Sequence, residues 1–506
     1  MSLLGIDIGT TGCKAIVFRE DGELLAGAYR EYPLQHPQTG WMELDPRQVW
    51  DSTREAIREA VVAAGEGDPV QALATSVQGE AVTPIAADGE ILANSPVTFD
   101  ERTLPYRDWW AEQMDRTRLF QITGMPLHAM YTLNKIMWWR REQPEIYERT
   151  WKFLNYGDFA LQRLGLPPTI DYTMAGRSMA FDLRANEWSA EILALAKVDV
   201  KKLPAVAPSG TAVGVVPAEV AAELGLPNGV IGVTGGHDQP CGALGGGIAE
   251  PGIAIDSTGT VECITPVFDA PVLTPPMLEG NFCCYHHVTP GLYATLAFNF
   301  TGGSLLRWYR DHFAALEKEE AEVAGMDVYD ILLGKAAGGP SPVMALPHFT
   351  VTGTPWFDTA SRGAFVGLTL GSEPRDIVKA ILDGVTYEMR LNLDRLAEAG
   401  VQVQRLRAIG GGAKSKVWMQ LKADIFDRPV ASLNVSEGAC LGAAILVGVG
   451  AGVYPDASVA AEMAREVEVF EPNPKAAGRY QERYELYRDL YPTLRDFNHR
   501  LAALSD

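Results

Sequence analysis

Several residue types and patterns are scarce in this 506-residue sequence, and each scarcity excludes something. Six cysteines (Cys13, Cys241, Cys263, Cys283, Cys284 and Cys440) form no C-x-x-C pair. That excludes a disulfide scaffold and leaves reduced thiols in a cytoplasm as the expected state. The 8 histidines show neither H-x-x-x-H nor a Cys/His alternation, so no zinc site of ordinary spacing is expected. Positive charge is in deficit, with 43 Lys+Arg against 64 Asp+Glu and a formal charge of −21. Such a surface repels nucleic acid and anionic membranes alike. The longest near-apolar run, Leu441 to Val453, is studded with glycine and falls short of the ~20 residues of a membrane helix. Met1-Ser2-Leu3-Leu4-Gly5 carries no basic n-region, so no secretion signal is expected. Neither a Walker A pattern nor a strict G-x-G-x-x-G occurs, which argues against P-loop and dinucleotide-binding folds.

What remains is globular: 47% hydrophobic residues, 50 glycines and 32 prolines, over a length that suits two large domains facing a cleft. Strand-like runs at Leu3 to Ile8, Cys13 to Phe18 and Glu23 to Tyr29 are separated by Gly9-Thr10-Thr11-Gly12 and by Asp21-Gly22. Both turns read as hairpins, which predicts an antiparallel start. Asp45-Pro46 then reads as an N-cap with Pro at the first helical position, and Val49, Trp50, Thr53, Ile57 and Ala60 follow at helical spacing. A strand at Ala72 to Val77 follows, and sheet and helix alternate along most of the chain, which predicts an α/β fold.

The chain also echoes itself. Gly5-Ile6-Asp7-Ile8-Gly9-Thr10-Thr11-Gly12 returns as Gly252-Ile253-Ala254-Ile255-Asp256-Ser257-Thr258-Gly259, with five identities in eight positions. A duplicated domain is the expectation, with lobes over 1–248 and 249–506.

Three stretches carry the chemistry. In the first turn, Thr10, Thr11 and Lys14 offer hydroxyls and a cation to phosphoryl oxygens, and Asp7 can hold a divalent cation. Thr258, Gly259 and Thr260 offer a second such turn, so two turns can grip one polyphosphate. Gly410-Gly411-Gly412-Ala413-Lys414 precedes a helix-like stretch, Lys416 to Phe426, and lets a nucleoside approach the backbone. Gly235-Gly236-His237-Asp238-Gln239 reads as a short loop that carries Asp238 into an interlobe cleft. There the carboxylate can accept the proton of an alcohol during phosphoryl transfer. His237, the other candidate, reads as a structural histidine. The tryptophan pairs at 109–110 and 138–139 read as packing.

Gly363-Ala364-Phe365-Val366-Gly367-Leu368, seven residues, then Asp376-Ile377-Val378-Lys379-Ala380-Ile381-Leu382-Asp383 resembles the carboxyl-terminal pattern of the FGGY carbohydrate kinases. Met130 to Trp138 is similar to the amino-terminal one. The resemblance implies an ATP-dependent sugar or polyol kinase of two actin-like, ribonuclease H-like lobes with a catalytic cleft between them, using ATP and Mg2+. It implies Asp7 on the metal side and Asp238 as base. Thr10, Thr11, Lys14, Thr258, Gly259, Thr260, Gly411, Gly412 and Lys414 are implied around the nucleotide, and Gln78, Glu80, Asp100, Arg102, Asp238 and Gln239 around the sugar. Typical xylulokinases carry Met-His-Gly near position 79, where this chain has Gln78-Gly79-Glu80. Because the Glu80 carboxylate repels a sugar acid, a neutral ketose such as xylulose or a related pentulose ranks first. Glycerol, erythritol, fuculose and gluconate are the alternatives, and a non-catalytic actin-fold ATP-binding regulator is the rival class. The expected setting is a cytoplasmic homodimer with neither nucleic acid nor membrane as partner.

Overall fold

The computed structural model describes residues 1–65, 67–336 and 338–504. β1 (Ser2–Ile8), β2 (Gly12–Arg19) and β3 (Leu24–Glu31) open the chain as the expected antiparallel ribbon. α1 (Pro46–Ala64) starts on Asp45, whose side chain accepts the Arg47 N–H, and Pro46 sits where no amide donor is needed. Its stripe of Val49, Thr53, Ala56, Ile57 and Ala60 is buried, and the chain returns as β4 (Val70–Val77), parallel to β1. Beside this sheet stand α2 (Leu104–Gln113), α3 (Thr132–Glu142) and α4 (Ala190–Ala196). β5 (Ala212–Val215), β6 (Ile231–Val233) and α5 (Asp238–Gly245) complete the first half.

The second half repeats the plan with β7 (Ile253–Thr258), β8 (Glu262–Phe268), α6 (Pro374–Ala399), β9 (Arg405–Ile409), α7 (Lys416–Phe426) and β10 (Val430–Leu433). α8 (Gly438–Gly450), β11 (Glu466–Phe470) and α9 (Pro474–Ala502) end it. The first sheet runs β5-β6-β4-β1-β2-β3 and the second contains β8-β7-β9-β10-β11. In each, the central strand pairs antiparallel with its successor on one side and parallel on the other, and an antiparallel strand closes the parallel edge. One topology met twice gives the two-lobed α/β architecture.

The two lobes are stitched by an exchange of helices. α8 lays Cys440, Leu441, Ala444 and Ile445 against Leu3, Ile16, Phe18, Ala72 and Ala74 of the first sheet. In return α5 sends Ala243 against Ile255 and Val267 of the second. The glycine-studded apolar run is therefore a helix buried between layers, which is why it is apolar on every side. Where α5 and α8 cross, a Cβ on Gly442 would stand 1.9 Å from the Cys241 carbonyl oxygen, and one on Gly245 1.9 Å from that of Gly438. The helices touch backbone to backbone. Among the described residues, no helix is long and apolar enough to cross a membrane.

Gly442→Ala forces these helices apart and should destabilise the protein by roughly 3 kcal/mol, the upper end of overpacking costs. Gly478→Ala, in α9 with open space around it, should stabilise it by about 0.5–1 kcal/mol. Urea midpoints of the two variants check the contrast; equal midpoints would show that the crossing tolerates a methyl.

Candidate active site

The first turn is rigid. Gly9 N–H donates to the Gly12 carbonyl at 2.9 Å, and the Tyr32 hydroxyl donates to the Gly9 carbonyl at 2.6 Å. The Thr10 hydroxyl donates to Oε1 of Gln78 at 2.9 Å, and Nε2 of Gln78 donates back to the Gly9 carbonyl at 3.1 Å. Gln78, expected at the sugar, is buried beneath the first turn and braces it. Thr11 is exposed at the tip. The β1–β2 register sets Asp7 opposite Lys14, and the Ser76 hydroxyl donates to Asp7 at 2.9 Å. Burial pushes the Asp7 carboxyl up to about 6 despite Ser76 and Lys14. Lys14, expected to offer its cation to phosphoryl oxygens, has its Nζ 2.7 Å from Oε2 of Glu437, the residue at the N-cap of α8.

Asp238 is not on a loop. Gly236 and His237 pair with the end of β4, and Asp238 is the first residue of α5. Gly235 makes this possible, because a Cβ there would stand 1.6 Å from the Thr75 carbonyl oxygen. Pro240 falls in the first turn of α5, where proline is tolerated. The Asp238 side chain is 31% exposed, yet its Oδ1 is buried and accepts no hydrogen bond. Burial, with the nearby charge of Asp7, pushes the carboxyl up to about 7. His237 lies behind it, Nε2 3.2 Å from that Oδ1 and Nδ1 3.0 Å from the Tyr285 hydroxyl. Burial drops its imidazole to about 3, so it is neutral and a poor base.

Glu80 is buried with a left-handed backbone, φ +60°, a conformation costly for any residue with a Cβ. Four side chains hold it there. Arg177 donates from Nε to Oε1 at 2.6 Å, Thr98 to Oε2 at 2.7 Å, Lys135 to the carbonyl oxygen at 2.8 Å and Thr132 to the same oxygen at 3.3 Å. Burial is the largest single influence and would raise the carboxyl, but Arg177 together with His237, Lys135 and Thr98 outweighs it and holds Glu80 below the usual range. The ground for ranking sugar acids low is corrected accordingly: the Glu80 charge is cancelled on the spot.

Asp100 and Arg102 face each other. Arg102 donates to both carboxylate oxygens at 2.7 and 2.8 Å and reaches Glu43 at 2.6 Å. Its guanidinium stacks 3.9 Å from the Trp41 ring centroid and 4.9 Å from that of Trp138. Gln239 follows Asp238 in α5 and is half-buried.

The second turn has a buried anchor. Nζ of Lys422, on α7, lies 2.6 Å from Asp256, 3.0 Å from Glu262 and 2.5 Å from the Thr258 hydroxyl. Burial pushes Glu262 up to about 8. The glycine loop presses on the same threonine: Gly410 has φ +87°, and a Cβ on Gly412 would meet the Thr258 Cβ at 2.7 Å. Gly259 and Thr260 are exposed at the tip, Gly411 is exposed on the neighbouring loop, and Lys414 is exposed just before α7.

The family description FGGY family of carbohydrate kinases matches with its N-terminal domain over residues 2–245 and its C-terminal domain over 255–451. The chain belongs to the FGGY family of carbohydrate kinases. The xylulose kinase of Bacillus subtilis (strain 168) is 27% identical over 99% of each chain. The glycerol kinase of Halorhodospira halophila (strain DSM 244 / SL1) is 29% identical over 96% of this chain and 94% of its own. The crystal structure of xylulose kinase from Rhodospirillum rubrum superposes with a TM-score of 0.89 at 29% identity, covering 99% of this chain and 100% of that one. This FGGY kinase is accordingly a phosphotransferase acting on a sugar or polyol, with ATP as the family's phosphoryl donor.

Reading the sequence of the kinase misses Arg177, Lys135, Lys422 and Glu437. Each is a partner brought in from far along the chain, and only charge balance around a buried acid could have asked for it. Arg177→Met should leave Glu80 buried and unpaired, at a cost of about 3–5 kcal/mol. Adding Glu80→Gln should recover much of that loss, and additive effects in the thermodynamic cycle would refute the coupling.

Proposed function

We propose that this kinase phosphorylates a hydroxyl of a neutral ketose, xylulose or a related pentulose, with Asp238 as general base. The observation that carries the reading is the unsatisfied Oδ1 of Asp238, on a carboxyl poised near 7. A buried acceptor without a donor fits a hydroxyl that arrives with the substrate. As the hydroxyl oxygen bonds to the γ-phosphorus, the bond from that phosphorus to the bridging oxygen breaks. ADP keeps the electron pair, and the hydroxyl proton passes to Asp238.

Charge pairing favours a neutral substrate. Among the described residues around the site, Arg177 is committed to Glu80, Lys135 to the Glu80 carbonyl, Arg102 to Asp100 and Glu43, and Lys14 to Glu437. No unpaired cation of this set is left for a sugar carboxylate, whereas the Glu80 oxygens retain lone pairs for hydroxyl donors. Glu80 and Gln239 are the proposed sugar contacts. Asp100 and Arg102 form a wall behind them, and Gln78 holds the phosphate turn.

On the donor side, Thr10, Thr11, Thr258, Gly259 and Thr260 are the proposed phosphate contacts, and Gly411, Gly412 and Lys414 line the adenosine side. Lys422 fixes Thr258 between them. Asp7 suits Mg2+, because burial leaves its carboxylate short of positive charge; such an ion would draw charge from the phosphoryl oxygens. Six buried thiols and an ATP-dependent reaction suit the cytoplasm.

A coupled ADP-release screen over ketoses, polyols and sugar acids should show the highest kcat/KM for a pentulose and weak turnover of gluconate; a preference for gluconate would overturn the substrate reading. For the base, Asp238→Asn should lower kcat by about 10²–10⁴-fold with ATP affinity retained. Wild-type kcat/KM should rise with pH to a plateau above about 7, since only the ionised carboxylate accepts a proton. Stability follows the opposite sign. The folded pKa lies above the unfolded one, so the folded state holds the proton longer and loses stability as pH rises through 7. The Asn variant should therefore melt above wild type at pH 8, with the gap narrowing as pH falls below 7 and closing only near pH 4.

A further inference from the structure

We propose that a cavity between α2, α3 and α4 is a binding site for a phosphate monoester carried on an apolar body. The cavity measures about 150 Å³, and Tyr106, Trp109 and Met137 form its apolar walls. Arg140, Arg141 and Lys197 line it as well, with no acidic residue in the lining. In a chain of formal charge −21, three converging cations run against the general balance.

Their pairing sharpens the point. Arg141 has one ion pair, Nε to Glu142 at 3.2 Å, on the exposed side. Among the described residues neither Arg140 nor Lys197 forms an ion pair, and Nε of Arg140 is buried without a hydrogen-bond partner. A buried guanidinium nitrogen left without an acceptor is costly unless a ligand supplies one. Arginine presents a planar fork of donors that matches phosphate, and the lysine adds a point charge on the other wall. The indole of Trp109 and the ring of Tyr106 suit a flat or apolar ester group.

The cavity lies apart from the phosphoryl-transfer residues. Lys135, at the sugar end of α3, is five residues from Arg140, about 8 Å along the helix axis. Lys197 caps α4 with φ +55°, so glycine there removes the charge and relieves the backbone.

Calorimetric titration of the full-length protein with phenyl phosphate tests the site, with a non-hydrolysable ATP analogue held at saturation so that the phosphate turns are filled. The expected result is one site of millimolar or tighter affinity, at least tenfold stronger than for inorganic phosphate. Lys197→Gly and Arg140→Gln should each weaken it fivefold or more, with sugar phosphorylation unchanged. Absence of binding, or binding by Lys197→Gly and Arg140→Gln as tight as by the unsubstituted protein, would overturn the site. Equal affinity for inorganic phosphate would overturn the ester.

Discussion

The backbone contact between α5 and α8 is the constraint on which the remainder rests. Because Gly245 and Gly442 carry no Cβ, two helices from different lobes cross backbone to backbone, the last turn of α5 against the first turn of α8. The first residue of α5 is Asp238, and the residue capping α8 is Glu437. Glu437 reaches back to Lys14 on the first hairpin, while the field of Asp7, opposite Lys14, is felt at Asp238. One crossing therefore bears on the spacing of the first turn, Lys14 and Asp238. A wider side chain at the crossing would shift all three together.

Local chemistry was readable in the sequence where it is written in adjacent residues. Asp21-Gly22 gave the hairpin and Asp45-Pro46 the start of α1, because turn and cap geometry depend on a few neighbouring positions. The echo between residues 5–12 and 252–259 announced two strands with like surroundings, and both are central in their sheets. In sequence Asp238 reads as a loop residue, because two glycines before it and Pro240 after it look like punctuation. Gly235 instead allows β4 to approach, Gly236 makes room for the Val288 side chain, and the proline sits in the first helical turn. Pairings such as Glu80 with Arg177, or Lys14 with Glu437, join residues 97 and 423 positions apart. No local pattern signals them, since they are decided by packing.

Charge in this protein is zoned rather than spread. The acidic excess lies mostly on the surface, while the core of each lobe pairs its ions locally: Arg102 with Asp100 in one, Lys422 with Asp256 and Glu262 in the other. Paired ions of this kind hold geometry better than they add stability. Their use under the two turns fits a site that must present fixed donors to a highly charged ligand. The unpaired cations of the cavity beside α3 stand out against that pattern.

The contrast between Asp100 and Asp238 makes the same argument at the scale of one side chain. Asp100 accepts from the Met42 and Arg102 amides and twice from the Arg102 guanidinium, which leaves its oxygens no vacancy for a proton or a substrate. Asp238 begins a helix, where the amide dipoles favour its charge, yet burial and Asp7 still drive its carboxyl up to about 7. A saturated carboxylate keeps loops in register. Asp238 instead keeps one buried oxygen without a hydrogen bond, so the two aspartates differ in how fully the fold has used their acceptors.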